Sequence, residues 1–220
     1  MESLFNDPLS PKGYASLEDI VRPEACELPE YKWFVLRVTY ARAQKAEEII
    51  SKYDMLTFLP MEYKSYVKDG EKHWTKKPCT PSLLFVYGKY TDVLKFTHRA
   101  ETGEYRIPYV DFSFDHTRKN EFGRDEIMTV PFKQMQNFIR VILAAVPHSY
   151  SVTPQEIHYR PGGLVRITQS EFKGVTGRVA RIHSQQRVVV SIEGVLNFAT
   201  TYIPKAYLEP IEDEEAQPIL

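Results

Sequence analysis

Apolar and polar positions follow strand and helix periods in separate stretches of the chain. The segment KWFVLRVT is rich in aromatic and branched residues and is apolar on both faces at its start, which predicts a central β-strand. In the following ARAQKAEEIISKY, apolar residues recur at helical spacing, which predicts an amphipathic helix. The apolar stripe of this helix consists of Ala43, Ala46, Ile49, Ile50 and Tyr53.

Further elements follow up to residue 147. The segments LTFLPMEYKSYV and SLLFVYGKY predict strands, and Asp69-Gly70 between them predicts a hairpin turn. TDVLKFTHR predicts a short helix, and VPFKQMQNFIRVILAAV predicts a longer one, because Pro131 suits a first helical turn. The apolar face of the longer helix consists of Phe132, Met135, Phe138, Ile139, Ile142 and Leu143. This order of elements predicts a compact α+β sandwich rather than a doubly wound sheet.

The pattern changes after a polar segment with prolines, residues 148–160, which predicts a linker. Short strands with turn signals between them then fill residues 161–211, namely LVRIT, GRVARI, RVVVSI, FATTYI and YLEPI. They predict a small β-barrel, since closure removes exposed sheet edges. Residues 1–30 contain prolines and no sustained period, which predicts an extended or disordered acidic arm, and residues 212–220 form an acidic tail.

The segment SEFKGVTGRVARI within this second region contains Gly174 and Gly177. Glycine reaches positive φ without steric cost, so the pair predicts a tight turn between two strands. The β-branched residues of RVVVSI favour strands, and glycines and prolines in this region disfavour helices. We therefore expect residues 160–211 to be β-structure in the resting protein.

Charge is unevenly distributed, although the net charge is −1. Residues 1–30 carry 2 basic and 7 acidic side chains, whereas residues 31–147 carry 19 basic and 14 acidic ones. A surface for a polyanion is one interpretation, and ordinary solvated charge is the other. The same alternatives apply to the hairpin lysines, which are Lys64, Lys68, Lys72, Lys76 and Lys77.

Composition and motifs disfavour several classes of protein. The chain is 43% apolar, but no apolar run approaches the ~18 residues of a membrane span, and no signal peptide pattern is visible. Cys26 and Cys79 lack CxxC spacing, so we predict neither a disulfide framework nor a zinc site, and we expect a cytoplasmic protein. Scattered histidines and the absence of a phosphate loop or GxSxG motif disfavour an enzyme, and nothing distinguishes Asp111 and Asp115 as a catalytic pair. No catalytic residue, metal or cofactor is predicted.

Two stretches carry a family resemblance. GGLVRITQSEFKGVTGRVARI resembles the KOW motif of SH3-like barrels, and KWFVLRVTYARAQKAEEIISKY with PSLLFVYG resembles the N-terminal (NGN) domain of the NusG family of transcription elongation factors. The resemblance implies an NGN domain at residues 31–147 and a KOW domain at residues 161–211. The arm and the segment MTVPFKQMQNFIR look most like the UpxY-type paralogues, which implies antitermination in capsular polysaccharide operons.

The resemblance implies contacts with RNA polymerase and DNA. Family members bind the clamp helices of RNA polymerase through an apolar patch, which matches Pro81, Leu83 and Phe85 here, although Leu83 replaces the usual tyrosine. The alternative is that Leu83 and Phe85 are core residues. In specialised paralogues, the first loop and helix touch the non-template DNA strand, and the matching positions are Thr39, Tyr40, Arg42 and Lys45. The alternative for these is a solvated surface.

The KOW resemblance implies a docking surface for the termination factor Rho or the ribosome. The matching residues are Phe172, Lys173, Gly174 and Gly177, and a core position is the alternative for Phe172. This chain departs from the housekeeping pattern at two points, since Glu193 replaces an aromatic residue and QSEF replaces a Gly-Pro-aromatic loop. We expect a monomer without membrane association. A KOW-containing ribosome- or RNA-binding protein is the second functional hypothesis, and the near-neutral charge disfavours it.

Overall fold

The computed structural model describes residues 14–53, 55–100, 103–144, 149–182 and 184–211. The α-helices within these ranges are α1 (Leu17–Ile20), α2 (Ala43–Ile50), α3 (Tyr90–Lys95) and α4 (Phe132–Leu143). The strands up to α4 are β1 (Tyr31–Val38), β2 (Leu56–Phe58), β3 (Met61–Lys68), β4 (Glu71–Pro78), β5 (Leu83–Lys89), β6 (Val110–Phe112), β7 (Phe114–Lys119), β8 (Asp125–Ile127) and β9 (Thr129–Val130). The later strands are β10 (Tyr150–Val152), β11 (His158–Ile167), β12 (Thr176–Ile182), β13 (Gln185–Ile192), β14 (Leu196–Ala199) and β15 (Leu208–Pro210). None of the helices in these ranges is long and apolar enough to cross a membrane.

The chain divides into two compact units. The first unit lies within residues 1–60 and 80–135, and the second lies within residues 61–79 and 136–220. The lysine-rich β3–β4 hairpin therefore belongs to the second unit. The sequence-based prediction had included it in the NGN region. The boundaries at 31–147, 148–160 and 161–211 stay a prediction.

The first unit is built on an antiparallel sheet with strand order β2-β5-β1-β6, to which β9 adds by pairing with β1. Trp33 to Leu36 of β1 are buried on both faces, as the run of apolar residues predicted for a central strand. Helix α2 is also confirmed, and it buries Ala43, Ala46 and Ile50 of the predicted stripe.

Within residues 14–30 of the predicted extended or disordered arm, the structure contains helix α1 and contacts with Tyr87. Ser16 caps α1 through a capping box with Asp19, and Ile20 is fully buried. The Tyr87 hydroxyl accepts a hydrogen bond from the Leu28 backbone N–H at 2.9 Å. The Tyr14 ring lies 6.0 Å from the Tyr87 ring, between centroids. The sequence did not predict these contacts, because they involve a few aromatic and apolar residues without a periodic pattern. The prolines in this segment also disfavour a helix. Residues 1–13 lie outside the described residues.

The second unit contains the β3–β4 hairpin and an antiparallel sheet with strand order β10-β14-β13-β12-β11-β15. Its core includes Val152, Ala180, Ile182, Val189 and Ala199. Described residues 158–182 and 184–210 form strands and short turns, which confirms the predicted β-structure. Barrel closure is not detected, because no described residues pair β10 with β15, and closure stays a prediction.

Within the predicted linker, Tyr150–Val152 form β10 and pair with β14 at Ala199 to Asn197. Val152 is 5% exposed and belongs to the core. A strand of three residues carries too little alternation to be distinguished from a polar loop in the sequence.

The glycines have different roles, and the prediction of a shared turn is wrong for one of them. Gly174 has φ +85° and its N–H donates to the Ile167 carbonyl at 2.7 Å, so it is a turn residue. Gly177 lies within β12, where an added Cβ would stand 2.5 Å from the Val189 backbone oxygen. The close approach of β13, not a turn, requires glycine there.

Candidate polymerase and DNA interface

The loop between β1 and α2 has an unusual backbone. Tyr40 has φ +61° and Ala41 has φ +54°, so two consecutive residues with side chains adopt the left-handed region. Each costs about 1–2 kcal/mol relative to ordinary helical geometry. The loop is held by the Thr39 N–H, which donates to the Tyr109 carbonyl at 3.0 Å. The Tyr40 side chain on this loop is 80% exposed.

The Arg42 guanidinium connects two aromatic rings beside this loop. Its central carbon lies 5.3 Å from the Tyr40 ring centroid and 5.1 Å from the Tyr109 centroid, both within cation–π range. Thr39, Arg42 and Lys45 are exposed like Tyr40. All four predicted DNA-contacting residues are therefore accessible, and Arg42 lies over the Tyr40 ring. Tyr109 was not predicted, because it lies 70 residues after Thr39 and reaches the loop only through tertiary structure.

The segment before β5 adjoins the same loop. The Ser82 carbonyl accepts a hydrogen bond from the Val38 N–H at 2.7 Å, and the Pro81 carbonyl accepts one from the Ala43 N–H at 3.1 Å. Pro81 is exposed and Leu83 is half-buried, opposite Arg37 in the β1–β5 register. The predicted polymerase and DNA contacts are thus neighbours in the structure, a proximity that no sequence pattern indicated.

Phe85 does not contribute to this surface, which corrects its predicted role. Its side chain is fully buried, and its ring lies 6.2 Å from the Phe58 ring, between centroids. Strand β5 lies between β2 and β1, so both of its edges are paired. Leu84, Phe85 and Val86 are all buried, so both faces of β5 are covered along this stretch. Sequence alternation placed Leu83 and Phe85 on one face, but it did not show how far along β5 that face is accessible.

The predicted docking loop of the second unit is also partly internal. Phe172 is fully buried, which favours its core alternative, whereas Lys173 is exposed. The Gly174 carbonyl accepts a hydrogen bond from Arg140 Nη1 at 3.3 Å. Because Phe172 and Gly177 are buried, Lys173 is the residue of the predicted set that presents a side chain to solvent.

Helix α4 binds the end of this loop through a side-chain amide. Asn137 Nδ2 donates to the Thr176 carbonyl at 2.6 Å, and Asn137 Oδ1 accepts from the Thr176 N–H at 2.9 Å. An amide that satisfies both backbone groups of one residue imitates a strand pair. Together with Arg140, Asn137 binds the loop to the middle and C-terminal part of α4. Neither residue was predicted, because the apolar pattern of α4 carries no signal for its polar contacts.

The titratable groups do not form a catalytic centre within the described ranges. Asp111 accepts hydrogen bonds from Arg99 Nε at 2.6 Å and Nη2 at 3.1 Å, while Asp115 accepts from Thr117, whose hydrogen bonds lower the pKa of Asp115. The two carboxylates thus have separate structural partners. Burial raises the pKa of the Cys79 thiol to about 12, so this cysteine stays protonated and unreactive near neutral pH. Among the residues that the structure describes, no three His, Cys, Asp or Glu side chains are grouped so as to hold a metal ion.

Residues 31–107 match the NusG family model, described as transcription termination factor nusG. The chain carries a NusG-family domain. The matched range begins at β1 and includes both the Thr39–Lys45 and the Pro81–Leu83 segments. NusG-family proteins are transcription factors and not enzymes. No curated protein matches the chain.

Proposed function

We propose that the protein is a transcription elongation and antitermination factor that binds RNA polymerase through its NusG-family domain. The match of residues 31–107 to the NusG family carries this proposal. The clamp helices of the polymerase are the contact that the family resemblance implies. On this chain the apolar contact is reduced to Pro81 and Leu83, because Phe85 is buried in the core.

A Leu83→Asp variant tests the polymerase surface. Burying a leucine side chain contributes about 1.5–3 kcal/mol, so we expect affinity for purified RNA polymerase to fall about 10- to 150-fold. Leu143→Asp is the matched control, since Leu143 is 48% exposed at the end of α4 and outside the proposed contact. Equal affinities of the two folded variants for polymerase would contradict the assignment of Leu83.

The exposed loop beside Leu83 supports a contact with the non-template DNA strand. Tyr40 offers a ring for stacking on an unpaired base, and Arg42 and Lys45 offer cations for phosphates. The Arg42 guanidinium lies against the Tyr40 ring, which orients both groups before DNA arrives. The family resemblance implies that this loop lies at the exposed strand of a paused complex.

Replacing Arg42 and Lys45 by alanine should separate DNA contact from polymerase binding. We expect the double variant to bind free polymerase as before and to lose recruitment to paused complexes, with a salt slope smaller by roughly 1.4 for two phosphate contacts. Lys32→Ala with Lys52→Ala removes the same charge from other exposed positions and should change neither measurement. Recruitment that persists in the Arg42 and Lys45 variant would show that these are ordinary surface charges.

The C-terminal unit is proposed as the KOW module, with the six-stranded sheet as its body. The docking surface implied by the family resemblance corresponds here to the loop that Asn137 and Arg140 bind. Lys173 is the exposed side chain of that loop. Rho and the ribosome remain the alternative partners of this module. The UpxY resemblance supports a role in capsular polysaccharide operons, and we propose that the factor acts as a monomer.

A further inference from the structure

The β3–β4 hairpin presents two faces of different chemistry. The turn at Asp69 and Gly70 has φ +54° and +82°, which gives a tight hairpin with strict alternation along both strands. We call the Trp74 face the side formed by Tyr63, Ser65, Val67, Lys72, Trp74 and Lys76. The opposite face carries Lys64, Tyr66, Lys68, Glu71, His73 and Lys77.

The Trp74 face combines exposed rings with cations and carries no acidic side chain. Trp74 is 38% exposed and Val67 is 74% exposed. The Lys72 ammonium lies 4.9 Å from the Trp74 ring centroid, and the Lys76 ammonium lies 5.7 Å from the Tyr63 centroid. Lys72, Trp74 and Lys76 alternate along β4, so the Cα atoms of the two lysines lie roughly 7 Å on either side of the Trp74 Cα atom.

The opposite face has a different character. Glu71 on that face is exposed, and the Tyr66 ring stacks on the His73 ring with centroids 5.5 Å apart. Its aromatic surface is therefore partly covered by its own neighbour, and its lysines share the face with a carboxylate. Both faces expose an aromatic ring, and they differ in charge, because the lysines of the Trp74 face share it with no carboxylate.

The base of the hairpin is anchored while its outer half is exposed. Glu62 is 1% exposed and accepts hydrogen bonds from the Ser151 N–H at 2.8 Å and from its hydroxyl at 2.9 Å. From Lys64 to Lys72 every residue is exposed. A rigid base with an accessible face lowers the entropy lost when an extended ligand is bound.

We propose that the Trp74 face binds single-stranded DNA, with a base stacked on the Trp74 indole and the flanking phosphates bound by Lys72 and Lys76. Aromatic rings with alternating cations and no carboxylate fit a polyanion whose bases have exposed π-faces. Paired bases cannot reach the indole, so duplex DNA fits the face less well. The choice of DNA rests on the proposed function, in which the protein meets an exposed DNA strand.

The test uses the full chain and a fluorescein-labelled oligonucleotide of twenty thymidines, followed by anisotropy and by tryptophan emission. The chain has two tryptophans, and Trp33 is fully buried, so quenching on binding reports stacking on Trp74. We expect quenching, and we expect Trp74→Ala to lower the affinity at least about 5-fold, while Trp74→Phe retains most of it. Tyr66→Ala is the matched aromatic control on the opposite face and should bind as the parent does.

A second pair of variants tests the cations. Lys72→Ala with Lys76→Ala should reduce the salt slope by roughly 1.4, whereas Lys68→Ala with Lys77→Ala removes equal charge from the opposite face and should leave the slope unchanged. Equal losses in both pairs, absence of quenching, or tighter binding of a uridine oligonucleotide of the same length would each overturn the proposal. Because no polymerase is present, this result is independent of the polymerase contact at Leu83.

Discussion

A Phe85→Ala variant will lose about 3–5 kcal/mol of unfolding free energy. The Phe85 side chain is fully buried on a strand that is paired on both sides, and its ring contacts Phe58. Removing the ring leaves a cavity that the sheet cannot close without shifting its paired strands. Urea unfolding followed by circular dichroism measures this loss.

Leu83→Ala provides the comparison on the same strand. Leu83 is half-buried near the start of β5, so its truncation should cost less than half as much as that of Phe85. Similar losses in the two variants would mean that Phe85 is no more a core residue than Leu83. A Phe85→Ala loss below about 1 kcal/mol would likewise contradict the core assignment.

A Phe172→Ala variant should lose about 3–5 kcal/mol of the unfolding free energy of the second unit, as Phe85→Ala does in the first. Phe172 is fully buried together with Ile167 and Val175, which flank it along the chain. The Val175 N–H donates to the Phe172 carbonyl at 3.0 Å, so the ring and its backbone belong to the same closed turn. Urea unfolding of the full chain, analysed for separate transitions, measures the effect.

The neighbouring Lys173 is the matched control for this variant. Its side chain is exposed, and Lys173→Ala should change stability by no more than about 0.5 kcal/mol. A Phe172→Ala protein as stable as the Lys173→Ala protein would restore Phe172 as a surface residue available for docking.

Local sequence patterns predicted the elements whose chemistry is periodic. The strand at Tyr31–Val38 and the helix at Ala43–Ile50 follow from apolar spacing, and the Asp69-Gly70 turn follows from its demand for positive φ. The apolar face of α4 was predicted nearly in full. It buries Val141 in place of Leu143, which is 48% exposed at the helix end.

Other features depend on contacts between distant residues and have no local signal. Gly174 and Gly177 look alike in the sequence. Glycine is required at position 174 by the positive φ and at position 177 by the close approach of the neighbouring strand. Tyr109 joins Arg42, and Glu62 binds Ser151, through tertiary folding alone. The candidate site was thus predicted at Tyr40, Arg42, Lys45 and Leu83, and its boundaries required the structure.

The most direct test of the polymerase proposal is co-elution of the full chain with purified RNA polymerase, compared with purified ribosomes, on a sizing column. We expect the chain to co-elute with polymerase, and the Leu83→Asp variant to elute alone. Co-elution with ribosomes and not with polymerase would contradict the account and favour the ribosome-binding alternative.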